Sequence, residues 1–360
     1  MTSSANFPPI LVFDAVSGEY RDPSDSADIT ANVDAPTRTV LVTGGTYYSP
    51  KQRKDSLTDF AASGLLGRQV QQQFARAGWK AIGTGLNRIN PPDVIRLNML
   101  DPAAIASTLD TIRPDVIVHC AANRFPDSCT ANPAAARNLN VEASRTLAAA
   151  AAERSIFLIY ISTDYVFSGR PGEAPYLASA TPDPPNVYGR TKLEGERAVL
   201  AAAPTTSVVL RVPVLYGSCD EPSESAVNVL MSQLWSAQKL SPSDGDAKIQ
   251  VDDYARRFPT NTADVGRVCR DVADYYRSTE NAGRDLPRIL HFTGEEAMTK
   301  WQIVQAFSEI TGLPVENMEA VRPQGELPEG TVRPFDCQLD MGGLRELGIP
   351  LGSVGFREWW

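Results

Sequence analysis

The chain has 360 residues and a formal net charge of -9. Its length fits one large α/β domain or two lobes. The acidic balance argues against non-specific nucleic-acid binding, which needs a basic surface, and no apolar run reaches the length of a membrane span. The five cysteines are scattered without metal-ligand spacing, as in a cytosolic protein with reduced thiols. We therefore expect a cytoplasmic protein with no metal site.

Residues 1–37 are rich in Ser, Asp, Thr and Pro without sustained periodicity, so we predict a mobile tail. Beyond them, short apolar runs alternate with helical patterns, which predicts an α/β fold with a doubly wound parallel sheet. The sheet should occupy residues 38–217. A smaller substrate-side lobe should occupy 218–360, with part of 257–292 returning to the first domain. The predicted strands cover residues 38–42, 79–84, 94–97, 115–120, 156–161, 207–212 and 288–292.

The stretch from residue 156 to residue 196 carries the strongest chemical signal. Its apolar strand ends in hydroxyl residues that include Thr163, at the strand end where open α/β sheets bind ligands. Tyr188 and Lys192, four residues apart, share one face of the helix that follows. A lysine ammonium beside a phenol lowers the tyrosine pKa, which predicts an acid/base pair assisted by Thr163. An ordinary surface helix offers the same spacing, so the pair alone is weak evidence.

The residues after the second predicted strand indicate the cofactor. This turn reads Gly85-Leu86-Asn87-Arg88 and contains no acidic residue. An acidic residue here would hold the ribose hydroxyls of NAD, whereas an arginine accommodates the 2′-phosphate of NADP. The sequence therefore predicts NADP. The alternative is a solvated loop arginine.

Together these features resemble the extended short-chain dehydrogenase/reductase family, which has a Rossmann-like fold. The resemblance covers roughly residues 39–350. Within the family, the chain is similar to the group that contains dTDP-4-dehydrorhamnose reductases and the regulatory β subunits of methionine adenosyltransferase. The segments 116–122, 257–260 and 298–300 look more like the β subunits.

The resemblance also implies a cofactor site. Backbone groups at the start of the first helix would hold the pyrophosphate. Asn98 and Met99 would border the adenine, Cys120 and Arg124 would lie near the cofactor, and Leu215 would flank the nicotinamide. The implied catalytic residues are Thr163, Tyr188 and Lys192. The implied NADP-binding residues are Gly44, Ser63, Gly64, Leu65, Leu66, Gly67, Leu86, Asn87, Arg88, Asn98, Met99, Cys120, Arg124, Tyr188, Lys192 and Leu215.

A polar segment, Gly45–Ala61, interrupts the glycine-rich turn of this site. Without it, the chain would read Val-Thr-Gly-Ala-Ser-Gly-Leu-Leu-Gly, the family motif without a gap. One interpretation is a surface loop, tolerated because loop-closure entropy grows slowly with length. The other is a translated intron, since the codons at its two ends can spell splice-like junctions. We favour the intron because a phosphate cradle is a poor place for a long insertion.

Three functions remain open at this stage. The resemblance favours an NADP-holding regulatory subunit that docks on the catalytic subunit of methionine adenosyltransferase, in S-adenosylmethionine biosynthesis. The alternative is an NADPH-dependent reductase of a nucleotide-linked 4-keto-6-deoxy sugar, and a third is an NADP-binding redox sensor. Tyr188 and Lys192 do not discriminate, because the β subunits also retain them. The aromatic end, Phe356–Trp360, is either a docking element or a cover for its own lobe.

Overall fold

A computed structural model describes residues 12–14, 19–21, 38–46, 60–61, 64–86, 89–240, 248–322 and 332–360. The predictions for Ser63, Asn87 and Arg88, and those for most of the tail and the insertion, fall outside these residues. The chain divides into two units, residues 1–37 and residues 38–360. In the first unit, Val12–Asp14 pairs antiparallel with Glu19–Arg21, which the prediction of a tail without structure did not include.

Among the described residues, seven parallel strands form the central sheet of the second unit. Their spatial order, numbered along the chain, is β3-β2-β1-β4-β5-β6-β7. The order of strand addition therefore reverses between β1 and β4, which opens a crevice at the carboxyl ends of these two strands. The predicted doubly wound sheet is confirmed. The strands are β1 (Thr39–Thr43), β2 (Lys80–Gly85), β3 (Val94–Arg96), β4 (Val116–His119), β5 (Phe157–Thr163), β6 (Ser207–Val212) and β7 (Ile289–His291).

Helices connect the strands and cover both faces of the sheet. No helix in the described ranges is long and apolar enough to cross a bilayer. A π-helical segment, Asn138–Ala143, lies between α4 and α5. The α-helices are α1 (Leu65–Arg76), α2 (Pro102–Ile112), α3 (Pro126–Ala131), α4 (Pro133–Arg137), α5 (Ser144–Ala152), α6 (Val187–Ala202), α7 (Asn228–Ala237), α8 (Thr262–Arg277), α9 (Lys300–Thr311), α10 (Gly342–Glu346) and α11 (Phe356–Trp359).

The core consists of two apolar layers, one on each face of the sheet. Alternate residues of β1 point to opposite faces, as the pleat of a strand requires. Val40 and Val42 therefore join the layer that contains Phe74 of α1 and Val272 of α8. Leu41 joins the opposite layer, with α2 and α5. Strands buried on both faces explain why the sequence shows near-continuous apolar runs rather than alternation.

A further apolar cluster lies around α7 and α9, in the part of the chain predicted to form the smaller lobe. Its strands, Ile249–Asp252 and Met318–Val321, pair in parallel. The aromatic end packs onto this cluster: Phe356 is 2% exposed, and the Trp360 ring lies 4.6 Å from the Phe307 ring. Of the two interpretations of the aromatic end, the contacts support a cover for its own lobe.

The two ends of the insertion lie side by side. Gly45–Thr46 pairs antiparallel with Phe60–Ala61, and Ala61 also pairs with Gly85 at the end of β2. The chain thus returns to the sheet edge that it left, and α1 still begins at Leu65, directly after its N-cap Gly64. The strand–turn–helix arrangement of the motif is therefore kept on both sides of the insertion. The choice between a loop and an intron remains a prediction.

Candidate functional site

A cleft opens at the carboxyl edge of the sheet, where the strand order changes. Its walls come from the start of α1, the loop after β4, the end of β5, the helix α6 and the loop after β6. These elements are far apart in sequence and meet only because parallel strands all end at this edge. Eight predicted site residues line the cleft: Leu65, Leu66, Cys120, Arg124, Thr163, Tyr188, Lys192 and Leu215.

The start of α1 forms one wall of the cleft. Leu65 and Leu66 are the first two residues of the helix, and Gly64 is its N-cap. Because glycine has no side chain, it cannot cap the backbone N–H groups of the first turn, which stay available to a ligand. The first turn also contains no acidic residue. Donors of this kind at a helix N-terminus suit the pyrophosphate of a dinucleotide.

Thr163 and Tyr188 face the cleft from neighbouring elements. Thr163 ends β5, and its hydroxyl donates to Asp164 Oδ1 over 3.0 Å. Tyr188 is the second residue of α6, whose start is fixed by Asn186, which accepts a hydrogen bond from the backbone N–H of Gly189 at 2.9 Å. Burial raises the pKa of Tyr188, and the hydrogen bonding of Thr163 opposes this shift. The phenol is thus a proton donor at neutral pH.

Lys192 lies one turn further along α6 and is 3% exposed. Its Nζ donates to the backbone oxygen of Ile161 over 2.7 Å and lies 4.0 Å from the centre of the Tyr160 ring. Burial lowers the pKa of Lys192 to about 7, and the charge of Glu196 opposes that shift. The sequence predicts that Lys192 lowers the pKa of Tyr188, whereas in the structure burial raises this pKa. Desolvation controls both groups, so the phenol stays protonated and the ammonium loses its proton more easily.

Cys120 and Arg124 line the cleft on the β4 side. Burial raises the pKa of Cys120 to about 12, so this thiol is a small neutral group at physiological pH. The Arg124 guanidinium lies 4.3 Å from the Phe125 ring, and burial lowers its pKa to about 10. Arg124 therefore remains a cation within the cleft and suits an anionic ligand.

The residues predicted around the adenine are not part of this cleft lining. Met99 is 2% exposed and packs in the core layer beside α2. Asn98 is exposed, and its side chain accepts a hydrogen bond from the backbone N–H of Leu100 at 3.0 Å. Leu86 follows β2, while Gly44 and Gly67 are buried beside the glycine-rich turn. Gly44, Leu86, Asn98 and Met99 follow the ends of β1, β2 and β3, whereas Gly67 lies in the first turn of α1. The cofactor-binding roles of these five residues stay predictions.

Asn140, which no motif in the sequence indicates, connects two walls of the site. Its Oδ1 accepts from the backbone N–H of Asn123 at 2.8 Å, and its Nδ2 donates to the Thr191 hydroxyl over 3.0 Å. Asn140 lies in the π-helical segment, where the sequence predicts a regular helix over 138–153. One wider helical turn leaves no periodic signal in an alanine-rich sequence, so it could not be predicted.

The strand order, the crevice beside β1 and the Thr163, Tyr188 and Lys192 side chains in one cleft together define a Rossmann-fold protein of the short-chain dehydrogenase/reductase class. The model of the family "RmlD substrate binding domain" matches residues 57–353, and the chain belongs to this family. The resemblance that the sequence indicated is confirmed.

Two curated relatives and one solved structure illustrate its place in the family. The chain is 39% identical over 325 residues to methionine adenosyltransferase 2 subunit beta of Danio rerio, covering 90% of this chain and 89% of the relative. It is 37% identical over 293 residues to dTDP-4-dehydrorhamnose reductase of Streptomyces griseus, covering 80% and 86%. The dTDP-4-dehydrorhamnose reductase of Bacillus anthracis in complex with NADP has the same fold, with a TM-score of 0.68, 21% identity, and coverage of 90% and 96%.

Proposed function

We propose that this chain is an NADP-binding regulatory β subunit of methionine adenosyltransferase, which docks on the catalytic subunit in the cytoplasm and acts in S-adenosylmethionine biosynthesis. The observation that carries the proposal is the identity with the subunit beta of Danio rerio, which extends over 90% of this chain and 89% of that protein. Because the alignment covers most of both chains, it supports the same domain composition in the two proteins. The reductase alignment is shorter, at 293 residues against 325.

The residues of the cleft fit NADP. The uncapped first turn of α1 offers backbone donors to the pyrophosphate, and Arg124 adds a positive charge. Lys192 and Tyr188 would donate to ribose and carboxamide-side oxygens, and Leu215 offers an apolar wall to the nicotinamide. When reduced, this cofactor supplies a hydride. The protein's own contribution would be to hold the ring against the β5 edge and to exclude water from it.

A second function has an observation in its favour. Thr163, Tyr188 and Lys192 line one cleft, and Tyr188 is a protonated phenol there. A reductase needs such a donor to protonate the oxygen of a ketone as hydride arrives. The alternative is therefore an NADPH-dependent reductase of a nucleotide-linked 4-keto-6-deoxy sugar, as the name of the Streptomyces griseus relative suggests.

Reconstitution separates the two functions. The purified chain is mixed with the methionine adenosyltransferase catalytic subunit of the same source, with and without NADP, and examined by size-exclusion chromatography and by the rate of S-adenosylmethionine synthesis. We expect a co-eluting complex and an altered rate. A dTDP-4-dehydrorhamnose reductase serves as the control with the same fold. No complex at micromolar concentrations, together with consumption of NADPH on a keto-sugar nucleotide, would replace the proposal by the reductase.

Arg88 is expected to set the preference for NADP over NAD. A guanidinium pairs with a 2′-phosphate through charge-assisted hydrogen bonds. Arg88→Ala should therefore reduce the difference between the binding free energies of NADP and NAD by about 1.5–3 kcal/mol. Calorimetric titration with both cofactors measures this difference. Arg76→Ala, at the exposed far end of α1, is the matched control and should leave it unchanged. Equal affinities for NADP and NAD in the unmutated chain would contradict the prediction.

Deleting Gly45–Ala61 is expected to strengthen NADP binding. The deletion restores the uninterrupted motif and removes a segment next to the phosphate-facing turn, whose ordering opposes binding. The measurement is the dissociation constant of the shortened and the full-length chain, with a thermal melt as the control for folding. Limited proteolysis should cut the full-length chain within the insertion. A mature messenger RNA that encodes the segment, with equal affinity in both forms, would show a genuine loop.

A further inference from the structure

A carboxylate and a guanidinium are paired deep behind the cleft. Arg211 of β6 and Glu196 of α6 have side chains that are 1% and 2% exposed. Arg211 donates from Nε to Glu196 Oε1 over 2.9 Å and from Nη2 to Oε2 over 2.7 Å. Ser162 donates its hydroxyl to Oε1 of the same carboxylate over 2.5 Å. The carboxylate is thereby held by two neighbouring strands, β5 and β6.

The hydrogen-bond network continues from β6 to β7. Arg211 Nη1 lies 3.4 Å from His291 Nε2, and His291 Nδ1 lies 3.1 Å from the backbone oxygen of Asp340. Arginine can only donate, so His291 accepts at Nε2 and donates from Nδ1 to Asp340. Burial lowers the pKa of His291 to about 4, which agrees with a neutral ring. Arg211, which binds the Glu196 carboxylate, is therefore itself held by His291.

Lys192 and Glu196 form hydrogen bonds with consecutive residues of β5. Lys192 bonds to the backbone oxygen of Ile161, and Glu196 accepts from the side chain of Ser162. The next residue, Thr163, faces the cleft. Since Lys192 and Glu196 lie one turn apart on α6, they fix the helix against the strand end at the cofactor site.

Six titratable groups lie around the Lys192 ammonium, and Glu196 has the largest favourable effect of them on the charged form of Lys192. The two thiols and two phenols have raised pKa values, and the imidazole has a lowered pKa, so these five are neutral. The six groups are Glu196 and Tyr188 of α6, Tyr160 of β5, His119 of β4, Cys120 after β4 and Cys129 of α3.

We propose that Glu196, held in place by Arg211 and Ser162, is a positioning residue that keeps Lys192 charged and aligned for the cofactor. The inference rests on the proposed binding of NADP. The protonated Lys192 has three N–H donors, of which one goes to Ile161 and two remain for cofactor hydroxyls, and the burial of Lys192 works against this charged state. The fixed carboxylate opposes the desolvation. Glu196 itself is not among the residues that line the cleft.

The test follows the protonation of Lys192 directly. In the free protein, labelled with ¹³C at the lysine ε-carbons, the Lys192 signal is assigned by its loss in Lys192→Met and titrated by NMR. In Glu196→Gln the titration midpoint should fall by about one pH unit or more, because the anionic neighbour is gone. NADPH affinity, measured by fluorescence over the same pH range, should follow the midpoint and drop about fivefold at pH 7, in proportion to the charged fraction.

A double variant separates positioning from stability. Glu196→Gln leaves the Arg211 charge unpaired, which itself repels the ammonium. Glu196→Leu combined with Arg211→Met removes both charges, and replacing a buried pair by apolar groups of similar volume is often neutral for folding. If the carboxylate supports Lys192, the midpoint is also lowered in this folded double variant. A circular-dichroism melt establishes that each variant is folded.

The outcomes are distinguishable. A lowered midpoint in both variants, with NADPH affinity following it, supports the inference. An unshifted midpoint in either folded variant overturns it. If the unmutated chain binds no NADPH while Lys192 still titrates with a Glu196-dependent midpoint, the proposed function fails and the cofactor part of the inference falls with it.

Discussion

Tyr188→Phe is expected to abolish nearly all NADPH-dependent ketone reduction, lowering kcat by about 10²–10⁴-fold, if the chain has that activity. The substitution removes one hydroxyl and keeps the ring. Because burial raises the pKa of Tyr188, the group lost is a proton donor and not a base. The assay follows NADPH absorbance with a keto-sugar nucleotide as the substrate. The same variant should leave activation of a methionine adenosyltransferase catalytic subunit almost unchanged.

Both quantities are measured on one protein, so a folding defect would affect them together. Tyr275→Phe, on α8 and away from the cleft lining, is the matched control for loss of a tyrosine hydroxyl. Turnover that depends on Tyr188 would contradict the regulatory function. Activation without turnover, unaffected by Tyr188→Phe, would support it.

Gly195→Ala is expected to destabilise the protein by about 1–3 kcal/mol through overpacking. A Cβ at Gly195 would lie 2.3 Å from the backbone oxygen of Asn140 and 2.4 Å from the Tyr160 hydroxyl. Gly→Ala inside a helix otherwise stabilises by about 1 kcal/mol, so the sign of the effect reports the close contact. Urea denaturation measures the free energy of unfolding. NADP affinity should fall too, because α6 carries Tyr188 and Lys192.

Gly352→Ala is the matched control, since a Cβ there would meet nothing within 4 Å. Its free energy of unfolding should stay within about 0.5 kcal/mol of the unmutated value. A Gly195→Ala variant that is as stable as this control would show that α6 can move away from the π-helical segment without loss of packing.

The sequence carried enough information for the sheet and for most of the cleft. The strands β1, β4, β5 and β6 are buried on both faces and therefore read as apolar runs, which are visible without a structure. Thr163, Tyr188 and Lys192 were predictable because their positions at a strand end and on one helix face follow from local geometry. Their convergence needs only the rule that parallel strands end at one edge.

Features that depend on contacts between distant elements could not be predicted. Glu196 and Arg211 are 15 residues apart on a helix and a strand, and their pairing requires the packing of α6 on the sheet. The pKa of Lys192 depends on burial, which a spacing pattern does not reveal. Met99, which was expected to border the adenine, is buried in the core layer beside α2, and a short turn after a strand does not reveal this packing in the sequence.

The packing of α8 on α1 joins two segments that are far apart in the sequence. Phe74 of α1 belongs to the same apolar layer as Val265 and Val272, which are translated almost two hundred residues later. Contacts of such high sequence separation form slowly, because a long loop must close first. A nascent or truncated chain that stops before α8 exposes the apolar face of α1 and lacks β7 at the sheet edge. Exposed apolar surface of this kind favours aggregation, so a chain that ends before α8 is expected to be less soluble than the full chain.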